Sequence, residues 1–131
     1  MSKPILCLDF DGVCHSYTSG WKGIAVIPDP PVDGLFEFLW KAIQVFDVQI
    51  YSTRSATEEG QAAMRLWFAI WIDRYWNSHP DMPEPRTELL NIKFPNTKPS
   101  AFVALDDRVL TFNGIFPDVE TLQSFKPWNK K

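Results

Sequence analysis

Cysteine is scarce in this sequence: Cys7 and Cys14 are the only two, seven residues apart. Two thiols cannot build the disulfide framework of a small secreted domain, and no Cys-x-x-Cys or His-x-x-x-His pair offers zinc spacing, so a cytoplasmic setting is expected. Long hydrophobic runs are missing too. The longest, Leu66 to Ile72, is about a third of what a bilayer span requires. The stretch from Met1 to Leu8 is too short for a signal-peptide core. Nor is there an excess of positive charge, with 13 Lys and Arg against 16 Asp and Glu and a net charge of −3. As a bulk figure, that argues against a protein built to coat nucleic acid or an anionic membrane. Internal repeats and low-complexity segments are also absent.

What is present describes one folded unit. The 131 residues are 45% hydrophobic and 22% charged, with 15% aromatic, enough to bury a core without staples. Pro4 to Leu8 is a short apolar run closed by Asp9-Phe10-Asp11-Gly12, which reads as a buried strand. Residues 12–31 form a loop or short hairpin, too long for a plain connector and therefore a candidate functional segment. A helix is predicted from Pro31 to Phe46, with Asp33 near its start, then a strand at Val48 to Tyr51. The longest helix is predicted over 56–77, with Glu58 and Glu59 in its first turn, where the macrodipole favours anions. Its aromatic residues cover more than one face, so it is buried on two sides or carries a partner surface such as a homodimer contact. Residues 78–87 read as a proline-rich loop. Strands are predicted at Leu89 to Phe94 and, as a second buried type, at Ala101 to Leu105, followed by a weak strand or turn at 109–112 and a short helix at 118–125.

Alternating strands and helices predict an α/β domain with a mostly parallel sheet. In such sheets ligands sit beyond the carboxyl ends of the strands. Three predicted strands end in polar clusters: Asp9 with Asp11, Ser52-Thr53-Arg54, and Asp106-Asp107-Arg108. Four carboxylates converging on one edge need a counter-charge. A hard cation such as Mg²⁺ supplies it and leaves room for water and a phosphate oxygen. Ser52, Thr53, Arg54, Lys98 and Arg108 are phosphate-binding groups by chemistry, and an aspartate can accept a phosphoryl group covalently. Cations aimed at the transferring group stabilise its charge.

On these motifs the chain resembles the haloacid dehalogenase-like superfamily of phosphohydrolases. Leu8-Asp9-Phe10-Asp11-Gly12-Val13 matches the first motif, Ile50-Tyr51-Ser52 the second, Lys98 in Lys-Pro-Ser-Ala the third, and Asp106-Asp107 the fourth, in the family's order from residue 4 to 112. The resemblance implies a Rossmann-like three-layer sandwich with a mostly parallel sheet. It implies Asp9 as nucleophile, Asp11 as acid and then base, and Ser52 and Lys98 as the groups holding the phosphoryl moiety. Mg²⁺ would be bound by Asp9, the backbone carbonyl of Asp11, and Asp107 with or without Asp106. The second carboxylate of the first motif favours a phosphatase over a dehalogenase. Lys93 rivals Lys98, and Thr53 rivals Ser52. Neither gap between motifs has room for a large cap, so the site is expected to be open.

Rival motifs fail on spacing. A calcium loop counted from Asp9 would need glycine at its sixth position and glutamate at its twelfth, where this chain has Cys14 and Gly20. A receiver-type phosphoacceptor would want an aspartate where Ser52 stands. His15 and His79 are expected at the surface, with His15 near enough to the first motif to contact substrate, and Cys14 is expected to be inert. Trp21, beside Gly20, Lys22 and Gly23, is either a base-stacking ring for substrate or an anchor packed on the core. The chain also looks like small phosphatase domains of bacteriophage proteins and of nucleic-acid repair, which favours a nucleotide or a polynucleotide end, such as a 3′-phosphate, as substrate. Gly12, Thr53, Arg54, Arg108 and Trp21 would line that substrate. A small-metabolite (sugar phosphate) phosphatase and a non-enzymatic binding or assembly module are the alternatives. Setting aside Asp9, Asp11, Asp106 and Asp107, the chain has 13 basic and 12 acidic residues, so its acidity lies largely in the site.

Overall fold

A computed structural model describes residues 2–82 and 86–129. The chain folds as a small α/β protein around a three-stranded parallel sheet in the order β2-β1-β3. The strands are β1 (Ile5–Leu8), β2 (Asp47–Ile50) and β3 (Val103–Leu105). Leu6 pairs with Val48 on one side and Val103 on the other. The central strand β1 is an uninterrupted apolar run because neighbours on both edges and packing on its faces exclude water from it. Leu6 and Leu8 are buried in the core with Val48 and Ile50.

The helices are α1 (Leu35–Val45), α2 (Glu58–Ser78), α3 (Arg86–Leu90) and α4 (Val119–Gln123), and a 3-10 turn spans Thr53–Ala56. α1 starts after Gly34, whose φ of 88° is left-handed, rather than at Pro31. In α2 the buried residues are Gly60, Met64, Trp67, Phe68, Ile72 and Trp76, a single stripe at helical spacing. Thr57 caps this helix by accepting from the Gly60 N–H at 3.0 Å. Gly60 itself lies against the Arg54 carbonyl so closely that a β-carbon there would overlap it. Phe36 of α1 packs on Tyr75 and Trp76 of α2, and α3 touches both helices.

Three expectations change. The strand predicted at 89–94 is instead the end of α3 followed by a single bridge between Lys93 and Gln49. Leu89, Ile92 and Phe94 are apolar because they fill the core beside α2, so their burial does not imply a strand. β3 occurs where predicted, but all three of its residues are exposed. The aromatic residues of α2 serve the core: Trp67, Phe68 and Trp76 are buried, leaving Leu66 and Ile70 as its exposed large apolar residues. A homodimer face on this helix is therefore left with the half-buried Trp71 as its one tryptophan. Residues 83–85 of the expected proline-rich loop lie outside the described residues. No helix among the described residues is long and apolar enough to cross a membrane.

Candidate functional site

The parallel register brings the carboxyl ends of β1 and β3 together. The Asp9 N–H donates to the Leu105 carbonyl at 3.0 Å, so Asp9 leaves β1 beside Asp106 and Asp107 leaving β3. Carboxylate oxygens of these three residues lie within 4.8 Å of one another. Asp107 packs against Gly12, whose φ is +89° and where a β-carbon would overlap the Asp107 carboxylate. Glycine is thus required there twice, for its backbone conformation and for the space. Burial, followed by the charge of Asp106 and a hydrogen bond with Asp107, pushes the Asp9 carboxyl up to about 8. Asp107 Oδ1 is buried without a hydrogen-bond partner among the described residues. An orphaned oxygen amid three crowded carboxyls is a donor set that fits a hard divalent cation.

Asp11 faces elsewhere. Its Oδ2 accepts from Arg54 Nε at 3.0 Å, and its Oδ1 lies 2.8 Å from His15 Nδ1. The Asp29 N–H donates to His15 Nε2 at 3.0 Å. A backbone N–H can only donate, so Nε2 is the acceptor and Nδ1 carries the proton that Asp11 accepts. The carboxylate of Asp11 therefore stands outside the acidic cluster. Its expected contribution to a metal was through its backbone carbonyl, on which this pairing places no constraint.

Arg54 departs from the phosphate-binding role expected of it. It is fully buried. Nη1 donates to the carbonyls of Gly23 and Ile24 at 2.8 and 2.7 Å, and the guanidinium carbon sits 4.6 Å from the centre of the Trp21 ring. Nη2 is buried without a hydrogen-bond partner among the described residues. This side chain joins Asp11 to the 12–31 loop, and Trp21 is its cover, with about half of the ring's residue surface left open. Of the two roles open to Trp21, the anchor is the one realised on that face. Asp29 holds the same loop from within: the Ser19 N–H and hydroxyl donate to its carboxylate at 2.8 and 2.6 Å, and Trp67 Nε1 donates to its carbonyl at 3.1 Å.

Ser52 follows β2 as expected, but its hydroxyl caps the 3-10 turn. It accepts from the Arg54 N–H at 3.0 Å and donates to the Met64 sulfur at 3.6 Å. Thr53 is exposed at the start of that turn. Lys98 is exposed ahead of β3, and its charge reaches Cys7 on β1, whose thiol is raised chiefly by burial and lowered by Lys98. Lys93 Nζ instead lies 3.6 Å from Asp47 at the amino end of β2, away from the acidic cluster. Arg108 is exposed, and its N–H donates to Asp106 Oδ1 at 2.9 Å. Burial pushes the Cys14 thiol far up.

Asp29 was not legible as a site residue, and His15 was legible only as a contact to substrate. His15 was expected at the surface, yet it is enclosed between Asp11 and Asp29 and stacks on Phe10. The available signal was its spacing of four from Asp11. His79 is exposed, as expected, and stacks on Tyr75.

Comparison with family models, curated proteins and solved structures finds no match. The reading of the site rests on its residues and their arrangement.

Proposed function

We propose that the chain is a phosphomonoester phosphatase dependent on Mg²⁺. The observation that carries this reading is the convergence of Asp9, Asp106 and Asp107 at the carboxyl ends of two parallel strands, with Asp107 Oδ1 buried and unpartnered among the described residues. Asp9, Asp107 and Asp106 would hold the cation, which when bound neutralises the crowded carboxylates and the phosphate charge. The motif order and the likeness to haloacid dehalogenase-like phosphohydrolases support the same reading, with the sheet and helices taken as a reduced Rossmann-like sandwich.

In this reading an Asp9 oxygen attacks phosphorus, the phosphorus–oxygen bond to the leaving group breaks, and that oxygen takes a proton from water, because the Asp11 carboxylate already accepts from Arg54 and His15. A second water then attacks phosphorus and gives a proton to Asp11, which passes it to the hydroxide left by the first step, and phosphate leaves with the Asp9 carboxylate restored. Arg54 and His15 act as positioning residues, because both donate to Asp11 and hold its carboxyl group in one orientation. Lys98 and Thr53 are the exposed groups left to bind phosphate oxygens, and Ser52 can join them by withdrawing its proton from the weakly accepting Met64 sulfur. The preferred substrate is a nucleotide or a polynucleotide end such as a 3′-phosphate, reached through an open site in a cytoplasmic setting.

The test is hydrolysis of an aryl phosphate with and without Mg²⁺. Turnover is expected with Mg²⁺ alone, and Asp9→Asn should abolish it. A panel of 3′-phosphorylated oligonucleotide, mononucleotides and sugar phosphates then separates the nucleic-acid reading from the sugar-phosphate one. No turnover on any of them with Mg²⁺ would leave the binding or assembly module as the better account.

A further inference from the structure

Exposed apolar side chains are concentrated in one part of the chain, from Phe102 to Leu122. Phe102 is 76% exposed, Ile115 76% and Phe116 86%, and Val109, Leu110 and Phe112 are all more than half exposed. The same segment encloses a concavity of about 680 Å³. Between Val109 and Pro117 there is no charged residue. The segment is an excursion rather than a loose end. It leaves the acidic cluster at Arg108 and returns at Trp128, whose Nε1 donates to the Gly12 carbonyl at 2.7 Å.

Two properties limit what can cover this surface. The apolar side chains between Phe102 and Leu122 leave on the order of 1,000 Å² open. A monomer's largest apolar patch is typically about 300–600 Å², while a stable interface takes about 800 Å² from each partner. The absence of charge from 109 to 117 gives nucleic acid, an anionic membrane or a charged peptide nothing to pair with. A second copy presents the same uncharged, apolar 109–117 surface, with Arg108 at one end and Asp118 and Glu120 at the other. β3 presents a second unpartnered feature. It is the outermost strand, and among the described residues no strand pairs with its outer edge. An unpaired edge beside an apolar patch is most simply satisfied by the same edge related by a two-fold axis.

We infer that this surface is the interface between two copies of the chain, formed by the β3 edge and the 109–122 excursion. The inference stands independently of the proposed phosphatase activity. Because the excursion starts and ends beside the acidic cluster, the second copy would hold the segment that leads out of Asp106 and Asp107.

Sedimentation velocity on the full chain tests it. At about 100 µM, a concentration that reveals micromolar association, the protein should sediment at twice the chain mass. Phe116→Asp and Ile115→Lys should each weaken the dimer by about 100-fold or more, with far-UV circular dichroism unchanged because both residues are exposed in one chain. In the unmodified protein, hydrogen exchange at the amides of 102–105 should slow as concentration rises. A single-chain mass at 100 µM would overturn the inference, whether or not the protein binds neutral lipid vesicles. So would a dimer that neither substitution weakens and whose 102–105 amides exchange at a rate independent of concentration.

Discussion

Arg54 illustrates how one side chain can be read correctly in type and wrongly in role. Its place after Ser52 suggested a phosphate ligand, but its guanidinium is spent on Asp11, two backbone carbonyls and the Trp21 ring. Removing one partner of a buried ion pair leaves the other charge uncompensated. Arg54→Ala is therefore expected to destabilise the fold by about 3–5 kcal/mol, measured by urea unfolding, and to free the 12–31 loop to proteolysis. Asp9 carries the opposite kind of strain. Burial and two neighbouring carboxyls raise it to about 8, so the folded state binds its proton more tightly than the unfolded state does. Stability from that proton is fully present below the ordinary carboxylate range and is lost as pH rises toward about 8. In the presence of a chelator, the Tm of the unmodified protein should fall from pH 5 to pH 8. Asp9→Asn, which has no proton to lose, should flatten that slope.

At the scale of elements, α2 was legible in extent, expected over 56–77 with two glutamates in its first turn and found at Glu58–Ser78, but not in its face, because positions that read as covering more than one face resolve into a single buried stripe of six residues. What periodicity does not report is how closely the helix docks. Gly60 allows the Arg54 carbonyl to lie directly against its α-carbon. Alanine is favoured over glycine in a helix by about 1 kcal/mol, but here its methyl group meets backbone that cannot swing away. Overpacking of about 1–3 kcal/mol outweighs the gain, so Gly60→Ala should lower stability in denaturant titration. It should also disturb the turn that carries Ser52 and Arg54. The segment at 89–94 misled for a related reason. A short apolar run is compatible with a strand or with a helix end buried in the core, and only its neighbours distinguish the two.

For the molecule as a whole, the acidic cluster links function to stability. A ligand that binds the folded chain alone stabilises it by mass action, by about 2.7 kcal/mol at a hundred times its dissociation constant. Mg²⁺ should thus raise Tm, and more at pH 8 than at pH 5, because below about 8 it competes with the proton held by Asp9. Addition of a chelator should reverse the shift. Gly12→Ala, which sets a methyl group against Asp107 and strains a positive φ, should reduce the Mg²⁺ response. Calorimetric scans with and without metal measure both.

The chain by itself determined the class of fold and the order of chemical groups along it. Apolar runs ending in Asp9 and Ser52 mark strand ends because a buried strand must shed its polar residues to its termini, while the run ending in Asp106 marks a strand whose exposure its composition does not report. Tertiary structure decided which of those groups meet. Asp9, Asp106 and Asp107 converge because β1 and β3 are parallel neighbours. Asp11 turns away to Arg54 and His15, and nothing in local spacing encodes a contact across 43 residues. The placement of exposed apolar surface was decided in the same way. The tryptophans of α2 and the phenylalanines of 102–116 are all strongly hydrophobic residues, and burial separates them because α2 docks against the 3-10 turn and α3 while no element among the described residues covers the excursion beyond β3.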